Sequence, residues 1–221
     1  MHESSKSKRH FSPWELSVLS GKVIDIGAGA DTVMPHAIPF DVAHGNANHI
    51  TEFAPGSFDC VYSSHCLEHM DDPTQTIHNW WSLVKPGGYL FLIVPDEDLY
   101  EQGVWPSRFS NEHTHTFTIS KKQSWSPKSL NLFDLCRTLE SGTIRTLVLN
   151  DIGYDRSIGF HGGSSTNPFY IHLRKLYRSL KKRHIIGRSV RFERWIARKV
   201  GWDQLDGPAL AQIEVIVQKS G

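Results

Sequence analysis

The sequence predicts an α/β domain built on a mostly parallel sheet, and three observations carry that reading. Short, β-branched apolar runs alternate along the chain with stretches of helical period. The first of these runs delivers a glycine-rich turn, Gly27-Ala28-Gly29-Ala30, as the opening strand of a doubly wound sheet does. The last run, Gln212 to Val217, alternates polar and apolar residues, the pattern of a terminal strand near a sheet edge.

Taken in order, residues 1–11 are basic and polar with no apolar run behind them, so they read as a flexible start and not as a leader or anchor. Ser12-Pro13 forms a helix start, an N-cap followed by proline, and WELSVLS leads to Gly21 as the stop. Lys22 to Ile26 is the first buried strand, and Ala37 to Phe40, ending at Asp41, is the second. Phe58 to Tyr62 is another strand, closing at Ser63-Ser64. Asp72-Pro73 opens a helix through TQTIHNWWSLV, after which Lys85-Pro86-Gly87-Gly88 turns into the apolar strand Tyr89 to Val94. Residues 95–127 carry three prolines and several aromatics among polar residues, too long for a connector and suited to a substrate loop. Ser129 to Leu139 reads as a helix and Ile144 to Leu149 as a strand.

The bulk properties bound the function. The 221 residues suit one domain, 1–221, with embellishments. The balance of 24 Lys+Arg against 23 Asp+Glu argues against a wholly basic nucleic-acid-coating protein. Yet His172 to Lys199 alone holds 11 of those basic residues and one acid, Glu193, so residues 155–209 read as a basic insertion before the last strand. Leu173, Leu176 and Leu180 give part of it an amphipathic helical spacing. A solvated face, a grip on a phosphate-bearing acceptor and peripheral membrane contact through 172–199 are the readings open to it. Three cysteines, Cys60, Cys66 and Cys136, have no C-x-x-C spacing and cannot all pair, so a reducing cytoplasm is the expected setting.

The chemistry concentrates in the first half. In VIDIGAGA the glycines let the backbone approach a ligand, and Asp25 is an acid near the end of a buried strand. Asp41 ends the next strand, where a carboxylate accepts hydrogen bonds from two ribose hydroxyls. Asn46-Ala47 sits where a further strand would end, and the asparagine carbonyl suits an adenine amino group. In order, VIDIGAGA, PFDV, NA, SFDCVYSSHCLEHMDDP and LVKPGGYLFLIVPD resemble the Rossmann-like S-adenosylmethionine-dependent methyltransferases of the type 11-like family. The resemblance covers about residues 20–100, and AQIEVIVQK is similar to that family's last, antiparallel strand.

That resemblance implies a sheet with helices on both faces and S-adenosylmethionine as cofactor. It places Asp25, Gly27, Ala28 and Gly29 beside the methionine portion, Asp41 at the ribose, Asn46 and Ala47 at the adenine, and Ser63, Ser64 and His65 on the other flank. The chain departs from the pattern in lacking the third glycine. Only twelve residues separate Gly29 from Asp41, so the first helix must be a turn or absent. A dinucleotide fold spends about 20 residues there to place a helix N-terminus at its pyrophosphate.

His65-Cys66-Leu67-Glu68-His69 also matches H-x-x-E-H, an inverted zinc-protease signature. It follows a strand directly and precedes Asp-Pro, leaving no long helix to aim both imidazoles and no third ligand in view, so the expectation is no metal. For the acceptor, YEQGVWPSRFSNEHTHTF offers Tyr100, Trp105, Phe109 and Asn111 as contacts, and His113 and His115 as general bases near neutral pH. The expected function is methylation, at oxygen more than nitrogen, of a small-molecule or glycan-type acceptor. The alternatives are an RNA methyltransferase tracking phosphates with the basic segment, and a non-catalytic S-adenosylmethionine-binding module.

Overall fold

The computed structural model describes residues 3–107, 109–158, 168–200, 204–205 and 207–221. Its centre is a six-stranded sheet formed by β1 (Val23–Ile26), β2 (Ile38–Phe40), β3 (Phe58–Ser64), β4 (Val84–Pro95), β7 (Gly142–Asn150) and β8 (Gln212–Lys219), in the order β2-β1-β3-β4-β8-β7. The β1–β2, β1–β3 and β3–β4 pairs are parallel, and β8 runs antiparallel to both neighbours. All four residues of β1 are buried, as a strand covered on both faces requires. The last strand lies one place in from the edge, with β7 outside it, which is why six of its eight residues are buried.

Helices cover both faces. On one, α3 (Pro73–Leu83) and α4 (Leu132–Arg137) pack Ile77, Trp80, Leu132 and Leu135 against Val61, Leu90, Leu92 and Val215. On the other, α2 (Pro13–Val18) sets Val18 beside Tyr62, Phe91 and Ile216. The helix start at Ser12 is a complete capping box, with the Ser12 hydroxyl accepting from the Glu15 amide and the Glu15 carboxylate accepting from the Ser12 amide. At α3, Asp72 Oδ1 accepts from the amides of Thr74 and Gln75, and Pro73 fills the first helical position. No helix separates β1 from β2, as the short Gly29–Asp41 spacing requires.

Several local expectations are corrected. Residues 3–8 are not an irregular start but a short helix, α1 (Glu3–Lys8), held down because the Ser7 hydroxyl and the buried Gln212 amide hydrogen-bond at 3.0–3.1 Å. Residues 1 and 2 lie outside the described residues. No strand ends at Asn46-Ala47: residues 41–57 are turns, and the Ala47 carbonyl is taken by the Trp80 indole at 2.8 Å. The 95–127 segment is partly ordered by a π-helical turn, Glu97–Glu101, and by β5 (Thr116–Thr118), which pairs in parallel with β6 (Ser129–Asn131). Its Arg108 lies outside the described residues. The helix expected from Ser129 therefore starts three residues later, at Leu132 with Asn131 as its cap.

In the basic insertion, α5 (Pro168–Lys182) and α6 (Val190–Val200) pack through Tyr177, Ile196, Ala197 and Val200. Glu193, the one acid of residues 172–199, is buried between them, bonded to Lys181 at 3.0 Å and Arg188 at 2.9 Å. Residues 159–167, 201–203 and 206 of this insertion lie outside the described residues.

Candidate active site

A cavity of about 330 Å³ opens at the carboxyl ends of the parallel strands, where open α/β sheets bind ligands. Gly27 and Ala28 form one wall, leaving β1 in a turn that only glycine accommodates: Gly27 has φ +80°, and a Cβ there would lie 2.6 Å from the Cβ of Cys66. Gly29, at φ +53°, donates its amide to Asp41 Oδ2 at 2.8 Å, and the Val42 amide donates to Oδ1 at 2.7 Å. The turn after β1 and the acid after β2 are thus one unit. Each oxygen of Asp41 keeps a second lone pair.

Asp25 lies beneath this turn and not in the cavity. Its Oδ2 accepts from the Val33 amide at 2.6 Å while Oδ1 has no hydrogen-bond partner among the described residues. Burial, partly countered by that amide, pushes its carboxyl up to about 7. Asn46 Oδ1, expected to face an adenine amino group, accepts here from both the amide and the side chain of Asn48, at 2.9 and 3.1 Å. Ser63 donates to the Ile26 carbonyl at 2.9 Å, tying β3 to β1, while Ser64 and His65 reach the cavity wall.

Opposite the glycine turn the wall is made of imidazoles and carboxylates. The 3₁₀ turn Leu67–His69 buries Glu68 completely. Its Oε1 lies 3.5 Å from His65 Nδ1, 3.9 Å from His69 Nε2 and 4.0 Å from His113 Nε2. Burial drives the Glu68 carboxyl up, but these imidazoles overcome it and hold it below the usual carboxylate range. His113 is itself buried, its Nδ1 2.7 Å from Glu101 Oε1, with Tyr100 stacked 5.0 Å away at a 30° tilt. Tyr100 and Phe109 line the cavity, whereas Trp105 and Asn111 stand outside it.

The structure also separates the two proposed bases. His113 faces the cavity, but His115 does not line it, its Nδ1 lying 3.0 Å from the Thr114 hydroxyl. Burial and Lys128 hold the His115 imidazole below its usual range. The H-x-x-E-H stretch does not form the inverted protease arrangement. His65 sits at φ +52° with Nε2 3.4 Å from Gln212 Oε1, and it is His113, from beyond β4, that joins Glu68 and His69. Glu101 and the pairing of Glu68 with His113 are absent from the sequence reading, because a contact between separate loops leaves no periodic signal.

Among the described residues the cavity is lined by the acids Asp31, Glu68 and Glu112 and by neither lysine nor arginine. Acids in such a lining favour a cationic group on a ligand.

Comparison with known proteins agrees with this geometry. Parts of the chain are similar to ubiquinone biosynthesis O-methyltransferases. The match to that of Xanthomonas euvesicatoria pv. vesicatoria is 58% identical over 38 residues, 17% of this chain and 16% of the relative. That of Chromobacterium violaceum is 24% identical over 120 residues, covering 42% of this chain and 52% of the relative. The chain thus spans about half or less of these relatives. Two solved structures share the fold at a TM-score of 0.50 and 13% identity. One is a chain of the complex between the Haloferax volcanii Trm112 methyltransferase activator and its methyltransferase, matched over 99% of this chain and 94% of that one. The other is an S-adenosylmethionine-dependent methyltransferase from Archaeoglobus fulgidus, matched over 99% and 95%. The model of the methyltransferase domain matches residues 6–125, more than half of the 221. The glycine turn, Asp41 and the cavity all lie within or against that stretch, and the chain belongs to the methyltransferase domain family.

Proposed function

We propose that the chain transfers a methyl group from S-adenosylmethionine to an oxygen of a small-molecule acceptor. The observation that carries this reading is the cavity itself, which joins the glycine turn at one end to a buried histidine–carboxylate cluster at the other. The cofactor supplies an electrophilic methyl on a sulfonium, and losing it leaves neutral sulfur. Asp41 would hold the ribose hydroxyls with its remaining lone pairs. Gly27 and Ala28 would let the methionine portion lie against the backbone, and Asp25 would brace that turn from below.

On the acceptor side, Tyr100 and Phe109 offer aromatic faces, and His113 is the group assigned to the reacting oxygen. Glu101 accepts from its Nδ1, so the lone pair of Nε2 is directed away from Glu101. Holding donor and acceptor in line contributes up to ~7–11 kcal/mol to the rate, and activation of the oxygen adds a further roughly 10²–10⁴-fold. The names of the curated relatives support O-methylation of a small molecule. The basic faces of α5 and α6 would suit a phosphate on the acceptor, a glycan-type acceptor carried on such a phosphate, or an anionic surface.

Calorimetric titration with S-adenosylmethionine, S-adenosylhomocysteine and NAD tests the cofactor. Micromolar binding of the first two and none of the third is expected; binding of neither sulfur compound overturns the reading. A screen of phenolic and glycan acceptors for labelled methyl uptake then identifies the substrate.

A further inference from the structure

Glu68 is a buried anion without an ordinary counter-charge. Neither oxygen has a hydrogen-bond partner among the described residues, and its ion-pair partners among them are all histidines. A buried carboxylate is costly enough that folded proteins neutralise it, pair it or place it on a metal, and imidazoles 3.5–4.0 Å away pair it only loosely.

The two cavity-side imidazoles are set up to supply lone pairs, not protons. His69 Nδ1 lies 3.0 Å from the Glu112 carbonyl oxygen, and His113 Nδ1 lies 2.7 Å from Glu101 Oε1. Both partners are acceptors, so a proton on each Nδ1 satisfies them and makes each Nε2 the atom available to a metal. Both Nε2 atoms lie near Glu68 Oε1, at 3.9 and 4.0 Å. Those separations exceed a hydrogen bond, which ends near 3.2 Å. They exceed by about half an ångström the roughly 3.4 Å that a tetrahedral ion imposes between ligands about 2.1 Å from it. The three donor atoms all lie within 4.8 Å of one another.

We propose that Glu68, His69 and His113 bind a divalent metal ion, zinc above the harder cations, at the acceptor end of the cavity. Two imidazoles and one carboxylate are a borderline donor set that favours zinc and its neighbours over magnesium. Glu101 and the Glu112 carbonyl are the outer acceptors that fix the ligating rings, as such partners do in established sites. All three residues line the cavity, so an ion held by them would be reachable from it. An acceptor hydroxyl taking one of them becomes more acidic, as metal-bound water does. Its proton passes to water. The oxygen's electron pair then forms the new carbon–oxygen bond while the carbon–sulfur pair stays with sulfur. In this arrangement His113 serves the acceptor oxygen as a ligand to the ion that holds it. This consequence rests on the proposed methyl transfer, whereas the site itself does not.

The test uses the full chain, stripped with a chelator and titrated with zinc, manganese and magnesium chlorides against a chromophoric competitor. One equivalent of zinc should bind. Affinity should fall at least 100-fold in His113→Ala and His69→Gln, and roughly 10–100-fold in Glu101→Gln. Cobalt substitution should give visible absorption that the His113→Ala variant loses. His69→Gln, at a half-exposed position, keeps the test informative if the buried variants fail to fold. No stoichiometric zinc, or equal affinity in His69→Gln and the parent, overturns the site and assigns any binding to surface histidines. Zinc binding without S-adenosylmethionine binding would overturn the methyltransferase reading alone; the reverse result would overturn the metal alone.

Discussion

Asp41 ties the turn after β1 to the end of β2 through one carboxylate, and the proposed ribose contact adds a binding role that substitution tests. Asp41→Asn keeps an acceptor for the Gly29 amide but turns its NH2 toward the exposed Val42 amide and loses the charge. A hydrogen bond to a charged group is worth about 1.5–3 kcal/mol, so S-adenosylmethionine affinity should fall roughly 10–100-fold, with the unfolding midpoint lowered only by the loss of the exposed Val42 amide bond. Calorimetry beside thermal melts checks both. Gly27→Ala should also cost roughly 1–3 kcal/mol of stability, because it needs a left-handed backbone and meets Cys66. Glu214 offers a pH test away from the site. Burial first, then Glu15 beside it, raises its carboxyl to about 9. The unfolded chain ionises near 4.5, so the folded state holds the proton longer and stability declines as pH rises from about 4.5 to about 9. Glu214→Gln should therefore raise the melting temperature relative to the parent by an increment that grows from pH 5 to pH 9. An increment independent of pH would show that Glu214 is ionised in the fold.

At the scale of elements, the parts written in local pattern were legible and the parts written in tertiary contact were not. The strands at Val23, Phe58, Gly142 and Gln212 stand out because a buried strand needs a run of apolar or alternating residues whatever its partner. The Asp72-Pro73 start is equally local, since a cap satisfies amides two and three residues away. Asp72→Ala should cost about 1 kcal/mol in denaturant unfolding, with the cavity intact. By contrast, α1 exists because Ser7 meets Gln212 from the far end of the chain, and β5 because Thr116 to Thr118 meets Ser129 to Asn131. Neither polar segment advertises its partner. The cavity divides the same way: Gly27 and Ala28 of its wall were visible as a strand-end motif, whereas Glu101 and the convergence on Glu68 required the folded loop.

For the molecule as a whole, the two ends of the chain meet over the sheet. Ser4 of α1 lines the cavity, and the Ser5 amide donates to Asp31 at 2.9 Å, so the N-terminal segment closes one side of the ligand site. Removing residues 1–11 should speed S-adenosylmethionine release in stopped-flow measurements while far-UV circular dichroism retains the sheet; unchanged release would deny α1 that covering role. The placement of β8 between β4 and β7 has a different consequence, one for synthesis. Among the described strands it is the last to be made, yet it is interior to the sheet. Until Gln212–Lys219 emerges from the ribosome, β4 presents a long apolar edge with no partner, and β7 has nothing to pair with. The nascent chain must therefore carry an open, aggregation-prone half-sheet through most of its translation, and chains terminated anywhere before residue 212 should be chaperone or protease substrates even though every cavity residue from Ser4 to Leu205 has been made.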